Sequence, residues 1–114
     1  MTKTDKKTEK LICDVLSVVC NQALVQIDGF SWLTHQVNYK SFPESLRITC
    51  IFLTKAQQAQ AQEQANDLFL SQLIQQSLQA NNILLKKPKK QIRFDNEEDC
   101  NSQHQGNWAK RLDA

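Results

Sequence analysis

Between Asp95 and Trp108 the chain reads D-N-E-E-D-C-N-S-Q-H-Q-G-N-W, which gathers four carboxylates, a cysteine, a histidine and a tryptophan. Cys100 and His104 have the four-residue offset that sets two metal ligands on one helical face. A structural zinc site needs two more ligands, for which Cys13, Cys20, His35 and Cys50 are available. Each of these stands alone, with no C-x-x-C and no second histidine pair, so no metal and no other cofactor is expected. Asp95, Glu97, Glu98 and Asp99 would serve as general acids or bases only in a pocket that tunes them. In the first turn of a helix the dipole already accounts for their charge. A cysteine nucleophile with His35 or His104 satisfies residue type, but no glycine-rich oxyanion loop or nucleophile elbow accompanies either histidine. Phosphate-cradling glycine motifs are absent as well. The expectation is a binding or regulatory module, with no catalytic residue and no enzyme activity.

Directly before this stretch stand Lys86, Lys87, Lys89, Lys90 and Arg93 with no acid among them. Residues 86–93 carry +5, residues 95–99 carry −4 and the first ten carry +2, within a formal total of +2. Flanking Pro88 in an exposed connection, these five cations form a candidate nucleic-acid surface that would neutralise phosphates in a salt-dependent way. Phe94 or Trp32 would add stacking. The adjacent acidic cluster counts against this, because it would repel a polyanion or neutralise the loop internally. Neither a G-x-x-G clamp nor an aromatic ribonucleoprotein pattern is present. DNA or RNA is the leading partner. The alternative is a protein-interaction or homodimeric module in which Trp32 and Trp108 serve as interface anchors.

The elements that must position these residues follow from periodicity. Ile12, Val15, Leu16, Val19, Ala23 and Ile27 recur at three- and four-residue steps, the stripe of an amphipathic helix over residues 6 to 28, with Gly29 as its stop. Leu33, His35, Val37 and Tyr39 alternate with polar residues and predict a strand over residues 32 to 40, turned by Pro43. L-R-I-T-C-I-F-L-T over residues 46 to 54 becomes apolar on both faces, which suits a central strand. Thr54 and Gln57 have capping-box spacing, so a second helix is expected from about residue 55 to 80. Its nine glutamines between 57 and 79 read as a solvated surface, and Leu68, Phe69, Leu70, Leu73, Ile74 and Leu78 as its packing face. Pro88 breaks any helix there, residues 91–95 read as a third strand, and Asp95 or Asn96 caps a last short helix.

The fold class expected is α+β, a single helix-on-sheet layer in the order α-β-β-α-β-α with a small antiparallel or mixed sheet. One domain is expected over residues 1–114, with the first eight residues flexible and residues 86–90 an exposed basic loop. Two glycines and two prolines argue against disorder and against an all-β protein. Cys13, Cys20, Cys50 and Cys100 lie mostly in apolar elements and are expected to be reduced. Asp14 interrupts the apolar stretch after the early lysines, and no run of apolar residues is long enough for a membrane span, so a cytoplasmic protein is expected.

Two stretches carry a resemblance: G-F-S-W-L-T-H-Q-V-N-Y with the following S-F-P-E-S-L-R, and F-D-N-E-E-D-C-N-S-Q-H-Q-G-N-W-A-K-R-L. Over most of residues 10 to 112 the chain resembles a family of short proteobacterial proteins often labelled Fis-type transcriptional regulators. The resemblance implies a bacterial, cytoplasmic protein with a DNA-linked role and carries over no catalytic or binding residue.

Overall fold

Helix α1 (Lys3–Gln26) opens the chain in this computed structural model, which describes residues 2–113. It begins within the stretch expected to be flexible, because Thr2 and Asp5 form a capping box: the Thr2 hydroxyl accepts from the Asp5 N–H at 3.0 Å and the Asp5 carboxylate accepts from the Thr2 N–H at 3.2 Å. Ile12, Leu16, Val19 and Ala23 are its buried stripe. Gly29 then turns the chain at φ +82°, and a Cβ there would stand 2.6 Å from the Gln57 Cβ. Only glycine meets both demands.

Strand β1 (Phe30–Gln36) pairs antiparallel with β2 (Arg47–Phe52), and β2 pairs parallel with β3 (Ile92–Asn96), so the sheet is mixed, in the order β1-β2-β3. Strand β2 is central, as its two-sided apolar pattern required: every residue from Ile48 to Phe52 is buried. Strand β1 ends before residue 40 because Asn38 caps a short 3-10 turn over Tyr39–Ser41, its side chain accepting from the Lys40 N–H. One sheet face, with Leu33, Ile48, Cys50, Phe52 and Ile92, joins α1 in the core. Phe30 meets Phe52 edge to face there, with centroids 5.9 Å apart.

The parallel pairing of β2 with β3 requires a crossover, and the helical segment that makes it is broken in two. Helix α2 (Lys55–Glu63) and α3 (Asn66–Gln79) meet at Ala65, whose φ of 59° is left-handed. The break has a phase reason. Ala61 is the buried residue of α2, whereas α3 buries Leu70, Ile74 and Leu78. At about 100° per residue an unbroken helix would set Ala61 and Leu70 about 180° apart, on opposite faces. The left-handed residue restores both to the core.

Pro88 starts a turn of helix where an irregular loop was expected, and α4 (Pro88–Gln91) leads straight into β3. Proline suits a first helical position, since the N–H it lacks has no partner there. Asn96 caps α5 (Glu97–His104), its Oδ1 accepting from the Asp99 N–H at 2.7 Å. Gln105 and Gly106, both at positive φ, end that helix. A further helix, α6 (Trp108–Leu112), follows with Asn107 as its cap. No helix among the described residues is long and apolar enough to cross a membrane.

Candidate functional site

The outward-facing residues of β2 and β3 bring two cations together. Thr49 is aligned with Arg93, and Arg47, two residues before Thr49, lies on the same face of the sheet. Helix α4 adds Lys89 and Lys90 and its N-cap adds Lys87, and these five cations line one concavity of about 450 Å³ with Glu44 and Gln91. None of the five forms an ion pair with another described residue. Lys86 alone of the expected set has a partner, Glu44, at 4.0 Å and largely in solvent. Such an exposed pair contributes little.

Gln91 holds this surface in place. Its side chain is buried, its Nε2 donates to the Pro43 and Leu46 carbonyls at 2.9 and 3.0 Å, and its Oε1 accepts from the Lys87 N–H at 3.0 Å. The amide therefore ties α4 to the β1–β2 connection with all three hydrogen bonds satisfied, a rigid mounting for flexible lysines.

The carboxylates of the following segment have partners of their own, although Asp95 borders Lys89 and Arg93 in an adjoining concavity. Asp95 accepts two hydrogen bonds from Arg111, which also donates to the Asp99 carbonyl and to Gln103, and lies 3.3 Å from His104 Nδ1. The Asp95 carboxylate raises the Arg111 pKa further. Glu97 accepts from Trp32 Nε1 at 2.6 Å and Trp108 Nε1 at 3.3 Å. Glu98 accepts from the Lys55 N–H at the start of α2, and Asp99, held low first by its hydrogen bond with Asn96, lies 3.6 Å from Lys55 Nζ. The acidic segment thus fastens α2, α5 and α6 to one another.

Trp32 and Trp108 are half-buried and packed edge to face, with centroids 5.4 Å apart. Phe94 packs against the core. No aromatic ring therefore lines the basic concavity. Cys100 is fully buried and its thiol is pushed up by burial, while His104 lies against Arg111.

A second polar cluster forms where α1 crosses β1. Glu9 Oε1 lies 2.8 Å from His35 Nε2 and 3.7 Å from Cys13 Sγ, and the Tyr39 hydroxyl donates to Glu9 Oε2. Tyr39 chiefly, then His35, holds the Glu9 carboxyl below its ordinary range. Burial and then Glu9 push the Cys13 thiol up, which is the reverse of what a cysteine nucleophile needs.

Arg47, Arg111 and Glu9 are the participants that sequence reasoning missed. Arg47 was detectable as the outward residue of an alternating strand, and Glu9 as the residue one helical turn before Cys13. No family model, curated protein or solved structure matches the chain.

Proposed function

We propose that the protein is a small cytoplasmic, non-enzymatic module that binds nucleic acid through the concavity formed by Arg47, Lys87, Lys89, Lys90 and Arg93. The observation that carries this reading is the convergence, from β2, α4 with its N-cap, and β3, of five cations without ion-pair partners among the described residues. The acidic segment that would have opposed a polyanion is engaged with Arg111, Lys55 and the two tryptophans. Phosphate is the moiety bound. With no aromatic side chain among the cations, bases have no stacking platform, and affinity should depend on salt far more than on sequence. The resemblance to Fis-type proteins agrees in partner class. The surface differs, since α6 has five residues and its Arg111 is held by Asp95.

The test is binding of labelled single- and double-stranded DNA and RNA fragments to the purified protein at low and moderate salt. Binding with little sequence preference that weakens as salt rises supports the reading, and no binding at low salt overturns it.

A second reading, a homodimeric or protein-interaction module, is favoured by the apolar residues α1 leaves in solvent, Val18 at 66% and Val25 at 87% exposure. It predicts self-association that barely responds to salt, measurable by sedimentation.

A further inference from the structure

We propose that Glu9, Cys13 and His35 form a site for a borderline divalent transition-metal ion, with zinc the best match, leaving one coordination position open to solvent. Glu9 Oε1, Cys13 Sγ and His35 Nε2 lie within 4.8 Å of one another, and they are the only such group of three ligand types among the described residues. Glu9 and Cys13 are one turn apart on α1, and β1 brings His35 against them.

The donor set selects the metal. A thiolate, an imidazole and a carboxylate suit zinc, whereas magnesium and calcium require oxygen ligands throughout. Bonds of about 2.0–2.3 Å put tetrahedral ligand atoms roughly 3.3–3.8 Å apart, so Glu9 and His35, now 2.8 Å apart, must open by roughly 0.5 Å, and Cys13 and His35, within 4.8 Å, must close by at most about 1.5 Å. Rotation of exposed Cys13 and of the half-buried Glu9 supplies that movement. Cys20, two turns further along α1, is about 10 Å from Cys13 and out of reach of the same ion. A neighbouring concavity lined by Cys13, Ser17 and Thr34 gives access to the thiol.

The surroundings fit a cation better than a proton relay. Tyr39 donates to the second oxygen of Glu9 and orients the carboxylate, as outer-shell partners of metal ligands do. Glu9 supplies a carboxylate and Cys13, once deprotonated, a thiolate, and a bound dication compensates the charge of both. On binding, the ion takes the place of any proton on His35 Nε2, which moves to Nδ1 of the neutral ring or leaves an imidazolium to solvent, and the Cys13 proton leaves to solvent.

The test is titration of the full chain with cobalt(II) as a spectroscopic probe, followed by displacement with zinc. One equivalent of cobalt should produce a thiolate-to-metal charge-transfer band that zinc abolishes. Cys13→Ser should remove the band, His35→Gln should weaken binding at least as much as a lost outer-shell partner does, and Tyr39→Phe should weaken it by about ten- to a hundredfold. Far-UV circular dichroism confirms that each variant is folded. Absence of the band in the wild-type chain overturns the proposal, as does a band that persists in folded Cys13→Ser.

Discussion

Arg111 grips Asp95 with two hydrogen bonds, Nε to Oδ2 at 2.6 Å and a terminal nitrogen to Oδ1 at 2.9 Å, and this pairing holds α6 against the sheet. The two side chains are only 15% and 19% exposed. The same contact neutralises the acid of β3 nearest to Arg93, whose side chain shares a concavity with both partners.

Arg111→Ala leaves Asp95 charged and without its bidentate partner. Stability should fall by about 2–4 kcal/mol, below the cost of breaking a fully buried pair because some solvent reaches this one. Urea denaturation measures this, and adding Asp95→Asn should recover part of the loss. On the proposed function, Arg111→Ala also weakens nucleic-acid binding, since an unneutralised carboxylate then borders the basic surface.

Gln91→Leu removes the tie between α4 and the β1–β2 connection without changing any charge. The Pro43 and Leu46 carbonyls and the Lys87 N–H lose their partner, at a cost of about 1–3 kcal/mol for each that water does not reach. Nucleic-acid affinity should drop although every cation remains, and fluorescence anisotropy reads that drop. Unchanged affinity would mean that the lysines act without a fixed mounting.

Tyr39→Phe removes the largest cause of the low Glu9 pKa. A carboxyl depressed below its unfolded value of 4.5 contributes stability above that pH, and the contribution disappears as pH falls through the folded value. With the tyrosine hydroxyl gone the folded value rises toward the unfolded one, so the contribution shrinks and acid unfolding should begin at higher pH. Circular dichroism followed through an acid titration checks this.

Gly29→Ala meets two obstacles, a left-handed φ of +82° and a Cβ 2.6 Å from the Gln57 Cβ. A loss of about 2 kcal/mol or more is expected, larger than left-handed strain alone imposes. Thermal unfolding of the variant measures it.

The strands and the core were legible in the sequence because they follow local periodicity: Ile12, Leu16, Val19 and Ala23 on one helix face, and Ile48 to Phe52 buried on both faces of a central strand. The break at Ala65 was present in the sequence as the phase conflict between Ala61 and Leu70, hidden by the unbroken alanine, glutamine and glutamate of residues 56–65, which all favour helix. Helix α6 was missed because five residues carry no period. The site was half legible. Lys87, Lys89, Lys90 and Arg93 are neighbours in the chain, but Arg47 joins them only through the parallel pairing of β2 with β3, and Glu9 meets His35 only through the packing of α1 on β1. Such alignments arise between elements far apart in the chain, from the crossover pairing of β2 with β3 and from the packing of α1 on β1, and the pattern within one element does not encode them.

The most direct measurement is the salt dependence of nucleic-acid binding by the wild-type chain and by a variant with Lys87, Lys89, Lys90 and Arg93 changed to glutamine. Affinity for duplex DNA should fall with a log–log slope of up to about −4.5 for the wild type, and each cation removed should reduce that slope by roughly one. A wild-type affinity that ignores salt, or a variant that binds as the wild type does, would contradict a phosphate-binding role for this surface.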